Sequence, residues 1–413
     1  MTTISQILAR LRRVPWLWKL LVKMGTRVGV SPQNWVLVET VSRPWWLYRS
    51  RGRLTLGKIH QQPPASVTDA DIALCERLIS AFAGATRDPA EQEASGSWAQ
   101  LLDMHYHKLA EALERADAYD LAELLASMFR QKITSGFMMQ ADVSATRSWL
   151  GSRILSIKSL DALVSLAEAL GAILVDGPEM RAAGLVFDES LATLLTRVDQ
   201  RLGFRVAFPH IGAPFGLSVD GRLITLETPE QIYAAVRLDH AINTHIATRS
   251  VEQLRVVEIG GGYGALCYWY LHMKPSISSY TIVDLPIVNV LQGYFLSRAG
   301  ISVSFYGEKR AQVAILPTGA LVQIESPFGV LVNKDSMPEM PHDTMKRYLE
   351  WGRTHCDGLF YSYNAEAGLN FLGSRGGCVG EAVDQVGGFR RLRRDPSWLR
   401  RGYVEEIYSR SCD

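Results

Sequence analysis

Val256-Val257-Glu258-Ile259-Gly260-Gly261-Gly262-Tyr263-Gly264-Ala265 is the stretch whose reading decides the fold. Val256–Ile259 is short, apolar and β-branched, which predicts a buried strand. The glycines let the backbone turn sharply and let a ligand approach the main chain. Ala265–His272 then reads as a helix. A second apolar strand, Tyr280–Val283, ends at Asp284, twenty residues after Gly264. Working outward, Ile287–Arg298 and Pro341–Thr354 read as helices. Ile301–Tyr306, Val330–Val332 and Leu359–Tyr363 read as strands, with Phe389–Leu392 and Val404–Tyr408 as a closing hairpin. This alternation predicts an α/β fold, a Rossmann-like, doubly wound, mostly parallel sheet.

The glycine turn opens a helix, so unpaired N–H groups and the positive end of the helix dipole meet there. An acid at the end of the second strand, Asp284, can hold the two hydroxyls of a ribose. Gly260-x-Gly262-x-x-Ala265 satisfies the loose dinucleotide pattern. A dinucleotide loop has no need of a carboxylate two residues before its first glycine, where Glu258 stands. A carboxylate so placed can counter a cationic ligand such as S-adenosylmethionine, and this reading is preferred to a nicotinamide cofactor.

The segments VVEIGGGYGAL (256–266), YTIVDLP (280–286), VNKDSMPEM (332–340) and FYSYNAE (360–366) together resemble class I S-adenosylmethionine-dependent methyltransferases. More narrowly, they resemble a sugar O-methyltransferase family found beside glycan and natural-product glycosylation genes. The resemblance spans about 205–410, roughly half the chain. It implies a class I methyltransferase domain with a cofactor site at Glu258, Gly260, Gly262 and Asp284. Gly261, Gly264 and Leu285 complete that expected site. A sugar or glycoside hydroxyl is the implied acceptor, with a non-sugar small molecule as the alternative. No NPPY-type signature for attack by a base nitrogen is present, which points away from nucleic acid.

In open α/β sheets ligands sit beyond the carboxyl ends of the strands. Two polar clusters fall there. Asn333-Lys334-Asp335-Ser336-Met337-Pro338-Glu339-Met340 has His342 close behind, and Asn364-Ala365-Glu366 follows the next strand. Methyl transfer mainly requires that the acceptor be aligned and its proton removed. Asp335 and Glu339 are the favoured bases, followed by His342, with His240 as an alternative on the preceding helix. Asn333, Ser336, Asn364 and Glu366 are candidate acceptor contacts. Asp335, Glu339 and Glu366 could supply oxygen ligands to a divalent cation, but no spacing demands a metal. His240 and His245 are five apart and share no helical face. His105 and His107 read as solvent or packing residues. Arg390, Arg391, Arg393, Arg394, Arg400 and Arg401 read as a solvated hairpin rather than a nucleic-acid surface.

Upstream, Leu217–Val219 and Leu223–Leu226 flank Asp220-Gly221 as a hairpin, and Pro229–Thr248 reads as a helix. Thr68-x-x-Asp71 resembles a capping box, and helical patterns cover about 97–130, 159–174 and 189–201. The expected organisation is a basic segment (1–60), a helical domain (61–204) and the methyltransferase domain with its leading hairpin and helix (205–413).

The 413 residues carry a formal charge of only +2, with 47% hydrophobic and 21% charged residues. That excludes a largely disordered chain and a whole-chain polyanion binder. The balance hides a division. Residues 1–58 hold eleven Lys/Arg, the single acid Glu39, and five of the ten tryptophans. The helix expected near Ile4–Met24 fits packing or homo-oligomer assembly, ahead of peripheral membrane contact through 1–58. Five widely spaced cysteines argue for no disulfide framework and a reducing, cytoplasmic setting.

Overall fold

The structure, a computed structural model, describes residues 57–88, 97–134, 137, 149–175, 190–246, 254–366, 377–400 and 402–411. The helix expected near Ile4–Met24 and almost all of the basic segment lie outside these residues.

In chain order, β1 (Ile59–Gln61) precedes four helices: α1 (Asp69–Thr86), α2 (Ser97–His105), α3 (His107–Glu114) and α4 (Ala118–Ala126). α5 (Trp149–Ala169) and α6 (Leu191–Leu202) lead to the hairpin β2 (Phe215–Val219) and β3 (Arg222–Ile224), then α7 (Thr228–His245). The glycine-turn region supplies β4 (Arg255–Ile259), α8 (Ala265–Met273), β5 (Ser279–Asp284) and α9 (Pro286–Arg298). β6 (Val303–Ser304), β7 (Val313–Pro317), β8 (Phe328–Lys334), α10 (His342–His355) and β9 (Cys356–Ala365) follow, and α11 (Val379–Val386), β10 (Phe389–Pro396) and β11 (Tyr403–Arg410) end the order.

These elements form two compact units, one from the described residues of 1–63 and 138–230, the other from the described residues of 64–137 and 231–413. In the first, β1, β2 and β3 make an antiparallel sheet in that order. The turn joining β2 to β3 places both Asp220 (φ 50°) and Gly221 (φ 69°) in the left-handed region, as a two-residue hairpin turn requires. α6 starts on a Ser190 cap, its hydroxyl accepting from the Thr193 N–H at 3.1 Å, and ends on left-handed Gly203.

The second unit holds an eight-stranded sheet ordered β10-β11-β9-β8-β4-β5-β7-β6. The pairs β4–β5, β5–β7, β6–β7, β4–β8 and β8–β9 are parallel; β11 runs antiparallel between β9 and β10. The chain winds outward from β4 through β5 to the edge strand β6, steps back to β7, and then crosses to the far side of β4 at β8. The order therefore reverses between β4 and β8, the position where doubly wound sheets bind ligands. β4, β5, β7 and β8 are apolar and buried, as expected for strands covered on both faces.

The doubly wound sheet follows the sequence reading, with local differences. The strand expected over Ile301–Tyr306 is only Val303–Ser304. β7 was not anticipated: Val313–Pro317 is an uninterrupted apolar run without alternation, buried throughout. The pattern over 97–130 is divided into α2, α3 and α4 by Tyr106 (φ −102°, ψ 0°) and left-handed Ala116 (φ 53°). The Thr68 capping box is present: its hydroxyl receives the Asp71 N–H at 3.3 Å, and the Asp71 carboxylate receives the Thr68 N–H at 2.9 Å.

One buried ion pair ties α7 to the closing hairpin. Arg237 Nε and Nη2 donate to Glu405 at 2.8 and 2.5 Å, and the Tyr361 hydroxyl donates to the same carboxylate at 3.2 Å. Glu405 is 1% exposed. Arg237→Ala leaves that carboxylate buried without its cation, a loss of roughly 3–5 kcal/mol. The expected outcome is a clear drop in melting temperature, partly recovered by adding Glu405→Gln; no drop would mean that water already compensates the pair.

Candidate functional site

β4 delivers Glu258 and Ile259 to the carboxyl edge of the sheet, with Glu258 opposite Ile282 on one side and Val332 on the other. The chain then turns on Gly260 (φ 74°), Gly262 (φ 59°) and Gly264 (φ 90°), and α8 starts. The Gly260 N–H donates to the Val283 carbonyl at 2.8 Å and the Gly264 N–H to Gly261 at 2.9 Å. A Cβ on Gly260 would lie 2.1 Å from Ser336 Oγ, so only glycine fits both the left-handed backbone and the adjoining loop.

Two carboxyls flank this turn. Glu258 is 1% exposed and accepts the Tyr280 hydroxyl at 2.9 Å. Burial pushes its pKa up to about 7, against the opposing effects of Tyr280 and the Lys334 ammonium. Asp284 ends β5. It accepts the Leu285 N–H at 2.9 Å and Gln292 Nε2 at 2.8 Å, and the N–H groups of Gly261 and Gly262 also favour its charged form. Burial still lifts it to about 7. Leu285 follows at the start of α9, half-buried. The structure thus brings Glu258, the glycine turn, Asp284 and Leu285 to one place.

The loop after β8 closes over this place from the other side. Asn333 is fully buried, and its Nδ2 donates to the Ile259 carbonyl at 2.8 Å and to Ser336 Oγ at 2.6 Å. Ser336 Oγ donates to the same carbonyl at 3.0 Å, and the Met337 N–H to Asn333 Oδ1 at 3.3 Å. The polar atoms of Asn333 and Ser336 are therefore engaged in tying the loop to the end of β4. Asp335 has a left-handed backbone (φ 64°) and pairs with Lys334 Nζ at 2.6 Å and Arg400 Nη1 at 2.8 Å. Burial works to raise its pKa, but the two cations outweigh it and hold the group at about 2.

Glu339 lies three residues past the loop's turn, in a short 3-10 helix (Met337–Glu339). Trp98 Nε1 donates to its Oε2 at 2.9 Å. Burial, with the Asp335 charge adding to it, raises Glu339 to about 7 despite Trp98 and Arg400. A carboxyl held there is half-ionised near neutrality, the range suited to a general base, whereas a carboxylate held at about 2 is a weak one.

The other candidates stand apart from this cluster in their contacts. His342 Nε2 is exposed and bonded to Gln385 Oε1 at 2.9 Å. His240 is exposed, 3.5 Å from Arg393 Nη1, and His245 is exposed on the same helix. Glu366 receives Arg394 Nη2 on both oxygens at 2.6 Å. Asn364 Nδ2 donates to Ser362 Oγ at 2.9 Å, and its Oδ1 is buried with no hydrogen-bond partner among the described residues. Among the described residues, no group of three or more His, Cys, Asp or Glu is placed to hold a metal ion, and no helix is long and apolar enough to cross a membrane. Arg391 and Arg394 of β10 both pair with Glu406, at 3.1 and 2.7 Å.

Four participants escaped the sequence reading. Trp98, Tyr106 and Phe137 come from α2 and the chain beyond it. Trp98 stacks on Phe137 (5.1 Å, 29°) and meets Tyr106 edge-on (6.4 Å, 66°). Phe137 rests on the glycine turn, its Cδ1 3.3 Å from where a Gly262 Cβ would lie. Arg400, counted in the arginine run, reaches Asp335. Nothing in local spacing links these residues to a turn more than a hundred positions away.

No protein-family model matches the chain, and no curated protein matches it. Among solved structures, the chain is similar to the mitomycin 7-O-methyltransferase, at 14% identity over 82% of this chain and 95% of that one, with a TM-score of 0.36. It is also similar to magnesium protoporphyrin IX methyltransferase from Synechocystis PCC 6803 with bound S-adenosylhomocysteine, at 14% identity over 47% and 90%, TM-score 0.32. A third is a sarcosine dimethylglycine methyltransferase structure from Galdieria sulphuraria, at 11% identity over 45% and 85%, TM-score 0.33.

Proposed function

We propose that the chain is an S-adenosylmethionine-dependent O-methyltransferase acting on a hydroxyl of a sugar or glycoside. The observation that carries the cofactor reading is the buried Glu258 carboxyl at the mouth of β4, beside a left-handed glycine turn, with a second carboxyl, Asp284, at the end of the neighbouring strand β5. A buried carboxyl at such a mouth is costly unless a cation meets it, and S-adenosylmethionine carries both an ammonium and a sulfonium. The residues fit the group. Glu258 would face its positive charge, Gly260–Gly264 would let its backbone approach closely, Asp284 would hold the ribose diol and Leu285 would cover the base.

Bound there, the cofactor would supply an activated methyl group. The chain's own work is then to align the acceptor and remove its proton. Glu339, oriented by Trp98, is positioned for that second task, and Asp335 holds Arg400 and Lys334 in place. Glu339, as the carboxylate, would take the proton of the acceptor hydroxyl. Support for a polyhydroxylated acceptor comes from the mixture of carboxyls and aromatic rings around Glu339, which suits hydroxyls on one face and C–H groups on the other.

Calorimetry with S-adenosylhomocysteine and with NAD tests the cofactor. S-adenosylhomocysteine binding without NAD binding is expected, and NAD binding alone would overturn the methyl-donor reading. Turnover of S-adenosylmethionine with a panel of glycosides and their aglycones tests the acceptor. Activity confined to aglycones would remove the sugar reading and keep the methyltransferase.

A further inference from the structure

Tyr106 sits where α2 gives way to α3, and the break turns its side chain inward. It is 1% exposed, and its hydroxyl has no hydrogen-bond partner among the described residues. A buried hydroxyl without a partner is uncommon, because its desolvation is not repaid. Its surroundings say what would complete it. The ring packs edge-on to Trp98, which reaches Glu339, while Phe137 beneath Trp98 lies on Gly262. Burial raises the phenol's pKa, and the negative charges of Asp284 and then Glu339 raise it further. A group that settles among them must accept from a phenol and donate to a carboxyl at once. An alcohol does both; an ammonium has no lone pair to accept with, and a carboxylate has no proton to donate.

We infer that the Tyr106 hydroxyl is a second anchor for the ribose of the nucleoside ligand, donating to a ribose hydroxyl that Asp284 also holds. The inference rests on the cofactor reading above. The ribose is preferred to the acceptor because the aromatic group that holds Tyr106 rests, through Phe137, on Gly262 of the glycine turn where the nucleoside would lie. It assigns a ligand contact to the helical segment before the sheet, so cofactor affinity is coupled to the seating of α2 and α3.

Tyr106→Phe removes the oxygen alone, and the variant is expected to melt no lower than the wild type. Calorimetry on both proteins with S-adenosylhomocysteine and with its 2′,3′-dideoxy analogue reads the contact. The variant should bind S-adenosylhomocysteine about tenfold more weakly, the scale of a single hydrogen bond, and bind the dideoxy analogue as the wild type does. Equal affinity for S-adenosylhomocysteine in the two proteins overturns the inference. So does an equal loss for both ligands, which marks a packing effect, or an unchanged nucleoside affinity with a raised KM for a glycoside, which gives the hydroxyl to the acceptor. A wild type that binds NAD and not S-adenosylhomocysteine overturns only the methyl-donor reading. The same tenfold loss is then expected with NAD, and its absence overturns the Tyr106 contact. A wild type that binds neither nucleoside overturns both.

Discussion

Asp284→Ala is expected to weaken S-adenosylhomocysteine binding by about a hundredfold or more. Hydrogen bonds from neutral donors to a charged partner contribute roughly 1.5–3 kcal/mol each, and a ribose diol brings two. Asp284→Asn keeps the shape and one acceptor oxygen, so a smaller loss is expected. Calorimetry of the three proteins at one pH reads the series; unchanged affinity in Asp284→Ala would place the nucleoside elsewhere.

The pH dependence follows from the same carboxyls. Burial lifts Glu258 and Asp284 to about 7, above the ordinary carboxylate range of about 4. A raised folded-state pKa means that the folded protein binds more protons than the unfolded chain between those values. The stability these groups contribute is therefore full below about pH 4 and is lost as pH rises through 7. A ligand that brings positive charge to Glu258 and donors to Asp284 offsets that loss. The rise in melting temperature on adding S-adenosylmethionine should accordingly be larger at pH 8 than at pH 6. Glu258→Gln should flatten the difference. An equal rise at both pH values in the wild type would contradict the charge pairing.

The fold was legible because its signals are local. Val256–Ile259, the glycines and Ala265 lie within ten residues, and each has one physical reading: buried strand, left-handed turn, helix start. Asp284 was legible because β5 is a second short apolar run ending in an acid. β7 was not, since five buried residues ending at Pro317 show no period that distinguishes a strand from an apolar loop. The base could not be chosen from the sequence either. Asp335 and Glu339 look alike four positions apart, and what separates them is non-local. Arg400 arrives from the β10–β11 connection to lower one; Trp98 arrives from α2 into an apolar setting that raises the other. Asn333 and Ser336 were singled out as acceptor contacts, yet their hydrogen bonds hold the loop against Ile259, a role that depends on the β4–β8 register.

Glu339→Gln is expected to lower kcat by about 10²–10⁴-fold, the range for loss of a general base, with little change in S-adenosylhomocysteine affinity. Stability provides the control. Burial raises the folded pKa of Glu339 to about 7, so above that pH the charged side chain is disfavoured in the folded state relative to the unfolded one. Gln carries no charge and can still accept from Trp98 Nε1. The variant should therefore melt no lower than the wild type at pH 8, which separates a lost proton acceptor from a damaged fold. In the wild type, kcat/KM for the acceptor should rise with pH along an acidic limb centred near 7. Trp98→Phe removes the donor that favours the charged form, so the limb should move to higher pH while most of the activity at pH 9 survives. If Glu339→Gln keeps both the limb and the rate, the proton goes to another group, and Asp335, held at about 2 by Arg400 and Lys334, cannot account for a limb near neutrality.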